Sequence, residues 1–171
     1  MSVREFVGID TGFSGAIAIL TEDGKVLSLL DMPIIEDKDK SYDLTAICNL
    51  IESIQIKNVT FCLEKTYPRS KYIGGTGKAN WWLGAGFNLW LGILHAFRCK
   101  YEIVDPRVWS RYFFKGRKNA NKEASYVVAS GLFRGQELSR INNRKRRVVY
   151  DGRCDALLIA EYMRRRMIGE K

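Results

Sequence analysis

The stretch "EFVGIDTGFSGAIAILTEDGKVLSLLDM", residues 5–32, decides the fold. "EFVGID" is apolar and β-branched enough to form a strand ending at Asp10. "TGFSG" supplies turn residues, "AIAIL" is a second strand, "EDG" turns again and "KVLSLLDM" is a third. Strands separated by such short Gly-containing turns pair as an antiparallel meander. One sheet therefore opens the chain.

The rest of the chain adds helices and two more strands to that sheet. In "SYDLTAICNLIESI", Leu44, Ile47, Leu50, Ile51 and Ile54 recur at helical spacing, with Ser41 or Asp43 as N-cap, so this segment is a helix crossing over the sheet. "NVTFCLEK" is apolar on successive residues, the pattern of a central strand buried on both faces. "YPRSKYIGGTGK" reads as a mobile basic loop, and "ANWWLGAGFNLWLGILHAF" as a long helix whose Gly84, Gly86 and Gly92 let another backbone come near. "KYEIVDP" is a last strand stopped by Pro106. "RVWSRYFFKG" is a short helix, "NANKEASYVVASGLF" another with Asn119 or Asn121 near its cap, and a final helix covers 151–168 after the polar, basic "RGQELSRINNRKRRVVY". The order β β β α β α β α α α predicts an α/β fold: one mixed five-stranded sheet flanked by helices, in a single domain over residues 1–171.

The composition excludes several classes. Hydrophobic residues make up 46% and charged residues 27%, which are globular values and argue against disorder. No apolar run approaches a membrane span, and the strand-like start has no signal core, so an intracellular protein without a membrane partner is expected. Cys48, Cys62, Cys99 and Cys154 are widely spaced among apolar residues with no CxxC pair, reading as reduced, buried thiols. His95 sits within a helix-like stretch and reads as structural. The net charge of +9 is concentrated beyond Pro68, which predicts an anionic partner touching the later elements, with nucleic acid favoured over membrane.

Acids occupy the places where a sheet end or helix start exposes them. Asp10 ends the first strand, Glu64 ends the central strand, and Asp151 and Asp155 open the last helix on one face. If the first and central strands are neighbours, Asp10 and Glu64 emerge together at the carboxyl ends, where open α/β sheets host ligands. Gathered carboxylates repel and raise one another's pKa unless a divalent cation neutralises them, and oxygen-only donors favour Mg²⁺ or Mn²⁺. Taken singly, Asp10 reads equally as a turn cap, Glu64 as a surface ion pair and the two late aspartates as helix-dipole partners.

"GIDTGFSGAIAIL", "FCLEK", "VDPRVW…NKEAS…LF" and "DGRCDALLIAEY" together resemble the RuvC-type Holliday-junction resolvases of the ribonuclease H-like superfamily. The likeness is to phage, bacterial and plastid members with a Gly-Arg pair before the last acid, and it spans roughly residues 4–165. It implies a DNA-associated homodimer that binds four-way junctions and nicks two opposing strands with Mg²⁺, Mn²⁺ substituting, in a bacterial or phage-host cytoplasm or an organelle. On it, Asp10, Glu64 and Asp155 match the family's three motif acids and Asp151 stands where members carry His or Asp. Members commonly space the last two positions three apart, whereas here Gly152 occupies that place and the acid is four back.

The resemblance also nominates Lys122 for contact with the cleaved phosphate. Lys118 near it, Arg144, Lys145, Arg146 and Arg147 before the catalytic helix, and Arg153 beside the acids are candidate nucleic-acid contacts, the Arg144–Arg147 run through the DNA backbone. Arg69, Lys71, Tyr72, Lys78, Trp81 and Trp82 mix cations with aromatics, a combination that stacks on unpaired bases and holds flanking phosphates. Trp81, Trp82, Phe87 and Trp90 read alternatively as buried in the core or across a dimer seam. Competing readings are a sibling nuclease acting on flaps, forks or RNA–DNA hybrids, a structure-specific binder without chemistry, and an actin-like ATPase sharing "GIDxG"; "GGTGK" lacks the spacing of a P-loop.

Overall fold

A computed structural model describes residues 4–54, 58–68, 76–115 and 122–170. β1 (Glu5–Ile9), β2 (Ala16–Thr21) and β3 (Val26–Asp31) form the expected antiparallel meander. β6 (Val59–Glu64) pairs parallel with β1, and β7 (Lys100–Val104) pairs parallel with β6. The result is a five-stranded mixed sheet in the order β3-β2-β1-β6-β7, with the ribonuclease H-like α/β arrangement of helices on both faces.

Alternation along the strands builds two cores. From one face, Phe6, Ala16, Ala18, Leu20 and Cys62 pack under α3 (Pro106–Phe113), α4 (Lys122–Leu132) and α5 (Asp151–Ile168). From the other, Val7, Ile9, Ile17, Phe61 and Leu63 meet Ile47 and Ile51 of α1 (Leu44–Ser53) and Trp90 and Leu94 of α2 (Gly77–Ala96). Asp43 caps α1, accepting from the Ala46 N–H at 2.9 Å. α5 lies almost on the sheet because β1 has Gly8 there: a Cβ at that position would stand 2.1 Å from the Ala156 carbonyl oxygen.

Two elements differ from the sequence expectation. Residues before α1 form a hairpin, β4 (Ile34–Glu36) with β5 (Lys40–Tyr42), and the basic segment before α5 forms another, β8 (Ser139–Ile141) with β9 (Arg147–Val149). Strands of three residues rich in charge carry too short an alternation to be read from sequence. α2 also begins earlier than expected: Thr76 caps it, accepting from the Ala79 N–H at 3.1 Å, so Gly77 and Lys78 are helical. Arg69, Lys71, Tyr72, Lys118 and the proposed caps Asn119 and Asn121 lie outside the described residues.

The glycines of α2 divide by face. Gly86 points inward, where a Cβ would stand 2.2 Å from the Tyr42 hydroxyl, while Gly84 and Gly92 face open space. Trp90 is fully buried in the core. Cys62, Cys99 and Cys154 are buried and Cys48 half-buried, all as free thiols.

Candidate active site

The first acid is set by a tight turn between β1 and β2. The Asp10 N–H donates to the Ala16 carbonyl at 3.1 Å, and the Asp10 Oδ1 accepts from the Gly12 N–H at 3.2 Å. Gly15 must be glycine here, since a Cβ would fall 2.1 Å from the Asp10 carbonyl oxygen. The parallel pairing of β1 with β6 then delivers Glu64 to the same edge, because Ile9 and Leu63 are register partners.

The remaining two acids arrive because α5 abuts that turn. A Cβ on Gly152 would lie 2.1 Å from the Ser14 carbonyl oxygen and 2.7 Å from the Gly15 Cα. No side chain fits at 152, so an acid at that position is sterically excluded, and Asp151 and Asp155 on either side are the acids the helix can present. Asp10, Glu64, Asp151 and Asp155 all line one cleft of about 450 Å³, together with Phe13, Tyr42, Thr66 and Trp82.

Burial and neighbouring charge perturb the ionisable groups of this cleft. Burial, then the charge of Asp10, and further the charges of Asp155 and Asp105, push the Glu64 carboxyl up to about 8, against the opposing effect of a 2.8 Å hydrogen bond donated by Trp109 Nε1. The Tyr42 hydroxyl, which donates to the Thr11 carbonyl at 2.8 Å, is likewise pushed up to about 12 by burial and by Asp10. Lys40 is the one basic residue among the described lining residues, and its ammonium lies 2.6 Å from Glu36. Among the described residues no three carboxylate, imidazole or thiolate groups already stand in an arrangement that could hold a metal ion. The donor chemistry nevertheless fits a hard divalent cation: the four acids offer carboxylate oxygens, and a cation would offset the neighbouring acids' charge, which adds to burial in raising Glu64.

The candidate cationic residues have separate placements. Arg153 is largely covered, its guanidinium bonding Asp31 at 2.6 and 2.8 Å and the Glu137 carbonyl at 3.0 Å while stacking 4.6 Å over the Tyr150 ring. It ties the first turn of α5 to the end of β3, and is engaged within the protein. Lys78 pairs with Asp39 at 3.4 Å on the rim near Trp82, and Trp81 is 63% exposed, edge-on to Trp82 with ring centroids 4.5 Å apart. Arg144, Lys145, Arg146 and Arg147 are exposed on the β8–β9 hairpin. Lys122 opens α4, its side chain lying outside the described residues. His95 is exposed on the last turn of α2, twelve residues and about 18 Å of helix beyond Leu83 in the cleft lining.

Sequence reasoning missed Trp109, Phe13, Tyr42 and Lys40 as site residues. Trp109 carried a signal, being the large apolar residue after the Asp105–Pro106 helix start, but its bond to Glu64 depends on how α3 packs beside β6. The others are brought in by the β1–β2 turn and the unforeseen β4–β5 hairpin.

The fold and cleft define a ribonuclease H-like architecture with carboxylates at the carboxyl edge of its sheet. Solved structures share this fold, among them two of RuvC. Thermus thermophilus RuvC in complex with Holliday junction substrate superposes with a TM-score of 0.61 at 11% identity, over 98% of this chain and 97% of that one. A second Thermus thermophilus RuvC structure gives 0.59 at 13% identity, over 98% of each chain. No protein-family model and no curated protein matches the sequence.

Proposed function

We propose that this chain is a structure-specific endodeoxyribonuclease that resolves four-way DNA junctions by paired symmetric nicks, using Mg²⁺ or Mn²⁺. The observation that carries the proposal is the convergence of four acids from three separate parts of the chain, Asp10, Glu64, Asp151 and Asp155, on one cleft of a fold shared with a junction-bound RuvC. These four would hold the metal ions, which when bound activate water for attack on a phosphodiester and stabilise the leaving oxygen. Trp109 orients Glu64, Gly152 lets α5 seat Asp151 and Asp155 beside Asp10, and Lys122 is the candidate contact for the cleaved phosphate. Lys78 and Trp81 supply charge and stacking surface for a branch point beside the cleft, and Arg69, Lys71 and Tyr72, outside the described residues, are candidates for the same role.

Two copies acting as a homodimer would match the near-symmetry of a four-way junction. α2 leaves room for such pairing: Gly84 and Gly92 face open space and Trp81 is exposed, while Trp82, Phe87, Leu89, Leu91 and Ile93 are only partly buried against the core. A related ribonuclease H-like nuclease acting on flaps, forks or RNA–DNA hybrids would use the same acids, since substrate choice lies in loops and dimer geometry.

The test is cleavage of a mobile four-way junction beside duplex, flap, fork and RNA–DNA hybrid of matched length, with Mg²⁺ or EDTA. Symmetric metal-dependent nicks on the junction, lost in Asp10→Asn, support the proposal. Cutting only of another substrate moves the assignment to the sibling nuclease, and junction binding without cutting removes the catalytic assignment.

A further inference from the structure

The β8–β9 hairpin stands apart from the main sheet as its own two-stranded ribbon. Arg140, Arg144, Lys145, Arg146 and Arg147 are all exposed on it, and among the described residues only Arg147 has an acidic partner, Glu123 at 3.5 Å. Ile141 sits within this charge and is 66% exposed, more than any other large hydrophobic residue described. An isolated apolar side chain among uncompensated arginines contributes nothing to this chain's own core.

The tip is also preorganised. Asn142 Oδ1 accepts from the Arg144 and Arg146 N–H groups, both at 3.0 Å, and its carbonyl accepts from the Lys145 N–H at 2.9 Å. Lys145 takes the left-handed conformation, φ 56°, that closes such a loop. Tyr150, which connects the ribbon to α5, donates its N–H to the Leu138 carbonyl at 2.9 Å, so the hairpin's base is fixed directly against the start of the acid-bearing helix. From Arg144 to Asp151 the chain can span no more than about 24 Å, less than one turn of duplex DNA at about 34 Å.

From this we infer that the β8–β9 hairpin is a duplex-arm grip: its arginines and Lys145 bind phosphates flanking the cut site, and Ile141 enters the groove between them. This rests on the nuclease reading for its ligand but assigns a separate element and a separate DNA feature. Cations alone would serve phosphate contact, whereas an apolar residue between them finds its counterpart in sugars and base edges inside a groove.

The test uses the full chain carrying Asp10→Asn, binding a junction in Ca²⁺ over a salt series, with long arms or with arms trimmed to a few base pairs. Arg144→Ala, Lys145→Ala and Arg146→Ala combined should lower affinity for long arms roughly 100-fold near physiological salt and reduce the salt slope by about 2.7. The same variant should leave affinity for trimmed arms unchanged. Ile141→Ser should weaken long-arm binding by several fold with the salt slope intact, and circular dichroism establishes that both variants fold. Loss on long and trimmed arms alike, equal loss on single strands, or an unchanged salt slope in the triple variant overturns the grip. An Ile141→Ser protein that binds like its parent overturns the groove contact. The nuclease reading fails separately, if the chain without Asp10→Asn cuts no substrate while the hairpin-dependent binding persists.

Discussion

α5 carries charge at both ends, and the two ends treat it in opposite ways. Near its C-terminus, Glu161 and Arg164 are buried but balanced: Arg164 donates to Glu161 at 2.7 and 2.9 Å, to the Glu22 carbonyl at 3.0 Å and to Glu170 at 3.1 Å, and Arg165 adds a 2.6 Å bond to Glu161. At its N-terminus, Asp151 and Asp155 join Asp10 and Glu64 with no arginine among the described lining residues. Breaking a buried ion pair leaves a charge in a poor solvent, so the balanced end fixes the helix on the sheet. The acidic end gathers four carboxylates in one cleft, where burial and neighbouring acids push Glu64 up, the kind of perturbation that clusters at functional sites.

That contrast can be broken in order of size. Asp10→Asn should abolish metal-dependent cleavage by at least about 10³-fold, equivalent to about 4 kcal/mol of barrier, while the metal-free protein melts no lower than its parent. Quantitative cleavage beside thermal melting checks both halves, and a large fall in melting temperature would mean that the acidic end is structural. Arg164→Met should do the reverse, costing about 3–4 kcal/mol in urea denaturation because Glu161 loses its main partner. Replacing Glu161 and Arg164 together, by Leu and Met, should recover most of that loss.

Gly152→Ala probes the contact that joins the two chemistries. The new methyl would meet the Ser14 carbonyl, so about 1–3 kcal/mol of stability should be lost. Cleavage should fall roughly 100-fold at temperatures where the variant is still folded, because Asp151 and Asp155 move relative to Asp10. Activity unchanged at full folding would show that the acids tolerate displacement of α5.

A pH slope tests the acidic end without any substitution. The Glu64 carboxyl titrates near 8 in the folded protein against an ordinary 4.5, so between these values the folded state keeps a proton that the unfolded chain has released. Metal-free stability should therefore be greatest below the ordinary value and fall as pH rises toward 8, by up to about 1.4 kcal/mol per pH unit. Denaturation at a series of pH values should show this slope in the parent, a shallower one in Asp10→Asn and none from this group in Glu64→Gln. Mg²⁺ that binds the ionised cluster should flatten it, and a slope unaffected by Mg²⁺ would count against metal binding at these acids.

Much of the architecture was legible before any coordinates. The meander over 5–32, the central two-sided strand ending at Glu64 and the helix over 151–168 follow from apolar period and turn chemistry, which are local properties of the chain. The β4–β5 and β8–β9 hairpins were not legible, because strands of three residues are too short to leave a periodic signal. Arg153 shows the same limit at one residue: lying between Asp151 and Asp155 in sequence suggested a role beside the acids, yet its guanidinium reaches Asp31, 122 residues away.

By itself, then, the sequence determined the main-sheet strands and the helices, that each buries at least one face, and that acids stand at strand ends and at a helix start. No helix among the described residues is long and apolar enough to cross a membrane. The tertiary structure decided that Asp10, Glu64, Asp151 and Asp155 share one cleft, that Trp109 holds Glu64, and that Gly152 bears no side chain because the Ser14–Gly15 backbone occupies its place. Hydrophobic period is written into neighbouring residues, whereas the convergence of residues 10, 64 and 155 on one cleft depends on strand pairing and helix docking, which only the packed chain determines.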